Sequence, residues 1–182
     1  MSTLFAPTEG ELTDLEEFGD PTIEEIDFNE RLLKHRTAIR RIDELDLEQI
    51  KEKLCLPKEN DGQAWSQEKA NQAEVWYKRF LKLIVLTSTK EVKLVPSKDI
   101  DEVWHTHILH TAKYRRDCNY VCGRYLDHYP YFGLRGQQDH EIHMVEYAKT
   151  IACFKAAFGE NPMMAELCCF NNCSNCMCGG GK

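Results

Sequence analysis

Along most of the chain, hydrophobic residues recur at helical spacing and seldom at alternate positions. Leu45, Leu47, Ile50 and Leu54 keep an i, i+3, i+4 rhythm that stops at Leu56 and Pro57, which predicts an amphipathic helix. Residues 58–62 form a polar break. Ser66 then stands where it can cap a long helix in which Ala73, Trp76, Tyr77, Phe80, Leu81 and Ile84 share one broad face. That breadth marks the helix as the centre of the core. Residues 87–90 read as a turn and 92–95 as a short extended segment. Pro96 denies Val95 an easy helical backbone, so Ser97 is the expected cap of the next helix. Thr111 either caps a second helix or sits at a kink in one continuous helix, and both versions end near His128 and Pro130. Residues 129–136 have too little periodicity for a helix and read as a packed aromatic loop. A last helix is expected from about Gln138 to Phe158, with Met144, Tyr147, Ile151 and Phe154 at helical spacing and Gly159 and Pro162 closing it.

The expected fold is therefore all-α, an irregular helical domain of about six helices over residues 31–162. An acidic arm, residues 1–30, precedes it, and a disordered Cys/Asn/Gly-rich tail, residues 163–182, follows. Thr8 with Glu11 and Thr22 with Glu25 have the spacing of capping boxes, which predicts two short acidic helices in the arm. The length of 182 residues suits one domain plus tails.

Charge and composition narrow the partners. The arm carries ten carboxylates and no Lys or Arg, within a chain of net charge −7. That argues against wrapping a phosphate backbone, and no nucleic-acid partner is expected. The arm is either a solvated end or a segment that docks on a basic face or a protein partner. No apolar run approaches the roughly 18 residues of a bilayer span, and residues 1–20 lack the features of a secretory signal. The expectation is a cytoplasmic protein with no membrane partner.

The chemistry is concentrated in one histidine-rich stretch, Asp101-Glu102-Val103-Trp104-His105-Thr106-His107-Ile108-Leu109-His110. On a helix, Asp101 and His105 lie about 40° apart on one face, whereas His107 and His110 lie about 60° apart on another. A carboxylate one turn from an imidazole can supply two ligands to zinc, nickel or ferrous iron, or can simply hold the imidazole in one tautomer. His128 closes a segment able to fold back antiparallel, which would bring a third nitrogen ligand to Asp101 and His105. Trp104, Ile108 and Leu109 read as core residues holding the helix down. His140 and His143 read as a surface pair, since their spacing is not that of a zinc peptidase. No phosphate-binding glycine loop is present. Cys118 and Cys122 lie near histidines in sequence, but cysteines on an apolar helix are usually small core residues.

Together with Val95-Pro96-Ser97, residues 114–118, Gly123-Arg124-Tyr125-Leu126-Asp127-His128 and Pro130-Tyr131-Phe132-Gly133-Leu134-Arg135-Gly136, this stretch resembles the glycine-rich domain-containing proteins of bacteria and plants. The resemblance spans roughly residues 75–160. It implies a helical domain and no established reaction.

Nine cysteines without a secretory signal do not read as a disulfide framework, and five of them crowd into the tail as Cys168, Cys169, Cys173, Cys176 and Cys178. Thiolates at such short spacing suit zinc, copper(I) or an iron-sulfur centre. The functional expectation is a helical metal-binding or interaction domain with a thiol-rich metal-binding tail. Its partners would be a transition metal such as zinc, iron or copper, and a protein met through the acidic arm or the aromatic loop. Two alternatives stand beside it: a precursor whose tail is modified by a partner enzyme, and a metal-dependent enzyme.

Overall fold

A computed structural model of the chain describes residues 27–87 and 92–159. Among these residues the fold is all-α, with seven helices and no strand. They are α1 (Phe28–Lys34), α2 (Arg36–Asp43), α3 (Glu48–Cys55), α4 (Gln67–Leu86), α5 (Lys98–Leu109), α6 (Thr111–Cys122) and α7 (Gln137–Phe158). The acidic arm through residue 26 with its two capping boxes, residues 88–90 of the expected turn and the thiol tail lie outside the described residues.

Helix α4 is the hub. Ser66 caps it by accepting a hydrogen bond from the Lys69 amide, and the helix packs on α1, α2, α3, α5 and α7. Tyr77, Phe80 and Leu83 are fully buried on it, and Phe80 meets the ring of Trp104 with centroids 5.5 Å apart. The broad apolar face expected of this helix is the reason: a helix apolar over much of its circumference must be surrounded.

Several local expectations are corrected. Helix α3 begins only at Glu48, because the Asp46 carboxylate accepts from the Glu48 amide and starts the helix there. Leu45 and Leu47 precede it in irregular backbone, yet both are buried, so the apolar rhythm runs on outside the helix. Phe28 opens α1 and is buried in the core. Ser97 stands at the N-cap of α5, but its hydroxyl makes no capping bond. Leu109, expected in the core, is 79% exposed because it falls on the outer face of the last turn of α5.

The question at Thr111 resolves as two helices. His110 has a non-helical backbone (φ −82°, ψ 58°), and its Nδ1 hydrogen-bonds the Thr106 carbonyl at 2.8 Å. Helix α6 then stops at Cys122, well short of His128, because Gly123 takes the left-handed conformation that terminates helices (φ 68°). Residues 123–136 are irregular. The aromatic loop is less packed than expected: Tyr129 and Tyr131 are exposed, and Phe132 alone among its aromatics packs inward, beside Val95 and Tyr147. Asp139, in the first turn of α7, holds the loop by accepting from the Gly133 and Arg135 amides.

A polar network ties the central helices together. His107 is buried; the Tyr77 hydroxyl lies 3.0 Å from its Nδ1, and Asp117 Oδ2 lies 3.0 Å from its Nε2. Lys113 donates to the same carboxylate oxygen at 2.7 Å. Burial holds His107 below its ordinary pKa and the Tyr77 hydroxyl well above. The consistent assignment is a neutral imidazole that donates from Nε2 to Asp117 and accepts from Tyr77 at Nδ1. This places one histidine of the motif in the core, joining α4, α5 and α6. Tyr77→Phe should leave that nitrogen unpaired and lower unfolding stability by about 1–3 kcal/mol, read from urea denaturation. An unchanged midpoint would argue against the network.

Candidate metal centre

Helix α5 presents its two faces to different surroundings. Trp104 and His107 point into the core, while Asp101 and His105, one turn apart, line its margin beside the loop that leaves α6. That loop is anchored by a relay of buried hydrogen bonds. The Trp104 indole N–H donates to the Tyr114 hydroxyl at 2.8 Å, and that hydroxyl donates to the Leu126 carbonyl at 2.6 Å. Leu126 is buried, and two residues later His128 lies against Trp104 with ring centroids 4.5 Å apart. The tryptophan of the motif thus serves both as the wall behind His128 and as the first donor of the relay that positions it.

Asp101, His105 and His128 come together here. Each can offer one ligand atom, all within 4.8 Å of one another, and among the described residues no other such group of three forms. His105 Nε2 is 2.6 Å from His128 Nε2, Asp101 Oδ1 is 3.3 Å from His128 Nε2, and Asp101 Oδ2 is 3.6 Å from His105 Nδ1. Side-chain exposure grades outward, from 12% at His128 through 18% at Asp101 to 37% at His105. Burial raises the pKa of Asp101, and Glu102 adds to the rise while His105 opposes it. Burial, reinforced by His105, lowers His128 to about 4, so its imidazole is neutral near pH 7.

The donor set is two imidazoles and one carboxylate. Zinc or iron held at about 2.1 Å by each ligand would separate neighbouring donor atoms by roughly 3.4 Å in a tetrahedral arrangement. The Asp101–His128 spacing already meets this. The short contact between the two Nε2 atoms is a hydrogen-bond distance, so one of them carries the proton, and that proton must leave before both can ligate. His105, the most exposed of the three, has the room to swing outward by the required fraction of an ångström.

The remaining candidates lie elsewhere. His107 belongs to the core network and His110 to the helix break. His140 and His143 stack with centroids 6.5 Å apart at the start of α7, where His143 packs on Phe132. Cys118 is buried, and burial pushes its thiol pKa up, while the Cys122 thiol donates to the Cys118 carbonyl. A histidine-activated nucleophile is not formed there. Cys168, Cys169, Cys173, Cys176 and Cys178 fall outside the described residues. Sequence reasoning missed Tyr114 and Asp117 as determinants of the site and its neighbour. Neither role has a periodic signature, since each depends on α6 folding back along α5.

This is a helical domain whose most chemically loaded feature is a His-His-Asp cluster at the margin of the histidine helix. A family profile described as UCP032817-like matches residues 36–163, well over half of the chain, and the chain belongs to that family. It is also similar to two plant proteins of Arabidopsis thaliana. Glycine-rich domain-containing protein 2 is 42% identical over 59 residues, which is 31% of this chain and 8% of that protein. Glycine-rich domain-containing protein 1 is 33% identical over 90 residues, which is 48% of this chain and 11% of that protein. The chain thus matches only a small part of these much longer relatives. No solved structure matches it.

Two outcomes test the architecture of the site. Tyr114→Phe should strand the Trp104 N–H and the Leu126 carbonyl, costing about 1–3 kcal/mol for each buried group left unpaired. Because His128 is lowered to about 4 in the folded chain from an ordinary 6.5, the unfolded chain binds more protons between those values, and stability should fall as pH drops through that window. Asp101, being raised, acts with the opposite sign at the lower end. Melting temperature against pH, compared between the wild-type chain and His128→Gln, isolates the histidine, and the variant should show the shallower acid slope.

Proposed function

We propose that the chain is a metal-binding domain in which Asp101, His105 and His128 hold a divalent transition-metal ion. The observation that carries this reading is the convergence of three ligand-capable side chains from two separate segments, brought together by a buried relay. Two imidazoles and a carboxylate are borderline-to-hard donors, which favour zinc or ferrous iron over copper(I). Three protein ligands leave coordination positions for water or a substrate, the arrangement that a metal-dependent enzyme requires. The thiols of Cys168, Cys169, Cys173, Cys176 and Cys178 would form a second, softer site suited to copper(I) or zinc. We take the protein to act in the cytoplasm; among the described residues no helix is long and apolar enough to cross a membrane.

Elemental analysis of untagged full chain, of chain truncated before Cys168, and of His105→Ala in both backgrounds tests the proposal. Truncation should leave a stoichiometric metal share that His105→Ala removes. A truncated chain with no metal above background, unchanged by the substitution and by added zinc or ferrous iron, would sink the helix site while leaving the tail site standing.

A second reading, an interaction module, draws on the exposed aromatic loop, where Tyr131 is 60% exposed and Arg135 stacks on Tyr129 at 5.1 Å. It calls for a protein that co-purifies with the chain and is released by Tyr131→Ser.

A further inference from the structure

On the face bounded by α1, α2, the C-terminal end of α4 and the end of α6 lies a groove of about 510 Å³. Its lining is unusual for a chain of net charge −7. Lys34, Arg41 and Arg124 line it together with His35, and among the described residues no carboxylate does. Beneath them Ile84, Val121 and Leu126 supply an apolar floor, with Val121 and Leu126 buried. The groove therefore combines concentrated positive charge with a surface that water solvates poorly.

Two of the three cations are not spent on internal partners. Among the described residues neither the Lys34 ammonium nor the Arg124 guanidinium has a hydrogen bond or an ion pair. Arg41 is held in place. Its Nη1 donates to the Tyr120 carbonyl at 2.9 Å and its guanidinium lies over the Tyr120 ring at 4.9 Å, an arrangement that engages one of its five N–H donors.

We propose that this groove is a binding site for a small soluble organic anion, a phosphate or carboxylate carried on an apolar body. Lys34, Arg41 and Arg124 would take the anionic group, and Ile84, Val121 and Leu126 the apolar part. The volume lies within the range of small-molecule sites, and the mixture of apolar floor and few charged groups is what such sites use for affinity and orientation. A planar guanidinium already fixed by Tyr120 loses little conformational freedom when it pairs with a phosphate or carboxylate. The site stands apart from the Asp101–His105–His128 cluster in its residues and does not depend on a metal being bound there. The two share only the 123–128 loop, which gives Arg124 and Leu126 to the groove and His128 to the cluster.

Octyl phosphate, which has both halves of the ligand, is the probe, titrated into the full chain and followed by calorimetry and by amide chemical shifts. Saturable binding at one site is expected, with shifts confined to residues near 34–41, 84–87 and 119–126. Lys34→Ala combined with Arg124→Ala should weaken it by at least about tenfold, equivalent to about 1.4 kcal/mol. Both side chains are exposed and unpaired, so an unchanged melting temperature is the control for folding. Inorganic phosphate and octanol, each lacking one half, should bind at least about tenfold more weakly than octyl phosphate. Raising the salt should weaken octyl phosphate binding in the wild-type chain more than in the double variant. Absence of saturable binding, equal binding by wild type and double variant, or octanol binding as tightly as octyl phosphate would each overturn the proposal.

Discussion

The hydroxyl of Tyr114 is the point on which the functional half of this fold turns. It accepts from the indole of Trp104 and donates to the carbonyl of Leu126, joining α5, α6 and the irregular segment after α6 through a single buried atom. Burial keeps that hydroxyl protonated by pushing its pKa upward. The relay acts together with the buried Leu126 side chain and with Tyr125 against the Tyr114 ring to define the path of the loop that Gly123 releases from α6, and Asp139 secures its far end. On that path, His128 comes to rest on Trp104 and reaches Asp101 and His105.

The two histidines of the Trp-His-x-His motif consequently have different lives. His107 is enclosed, neutral and doubly hydrogen-bonded, and its ring meets Tyr77 and Tyr114 edge-on. His105 stands at the surface margin, partnered by groups that could exchange a proton for a metal. Their separation by two residues on a helix is the cause, since about 200° of rotation sends one inward and the other to the rim. The inner histidine stiffens the helix that presents the outer one. A site built on a helix anchored in this way is held more precisely than one assembled from loops alone.

The 123–128 loop also joins two regions of different chemistry. On one side it contributes to a cationic groove with an apolar floor, on the other to a His-His-Asp cluster.

Much of the scaffold was legible in the order of residues. The broad apolar face of α4, its cap at Ser66, the last helix and the all-α class follow from helical periodicity and end signals, which are local. The pairing of Asp101 with His105 is local too, because a helix sets it. What periodicity misjudged were places where tertiary packing overrode it: Leu45 and Leu47 buried from irregular backbone, Leu109 left outside, and α6 ended early by Gly123. The Tyr114 relay that carries His128 into place, the partnership of His107 with Tyr77 and Asp117, and the cationic groove are products of tertiary structure alone. Each unites residues from different helices or from a helix and a loop. The relative placement of those segments is decided by how the core closes around α4, and no spacing along the chain records it.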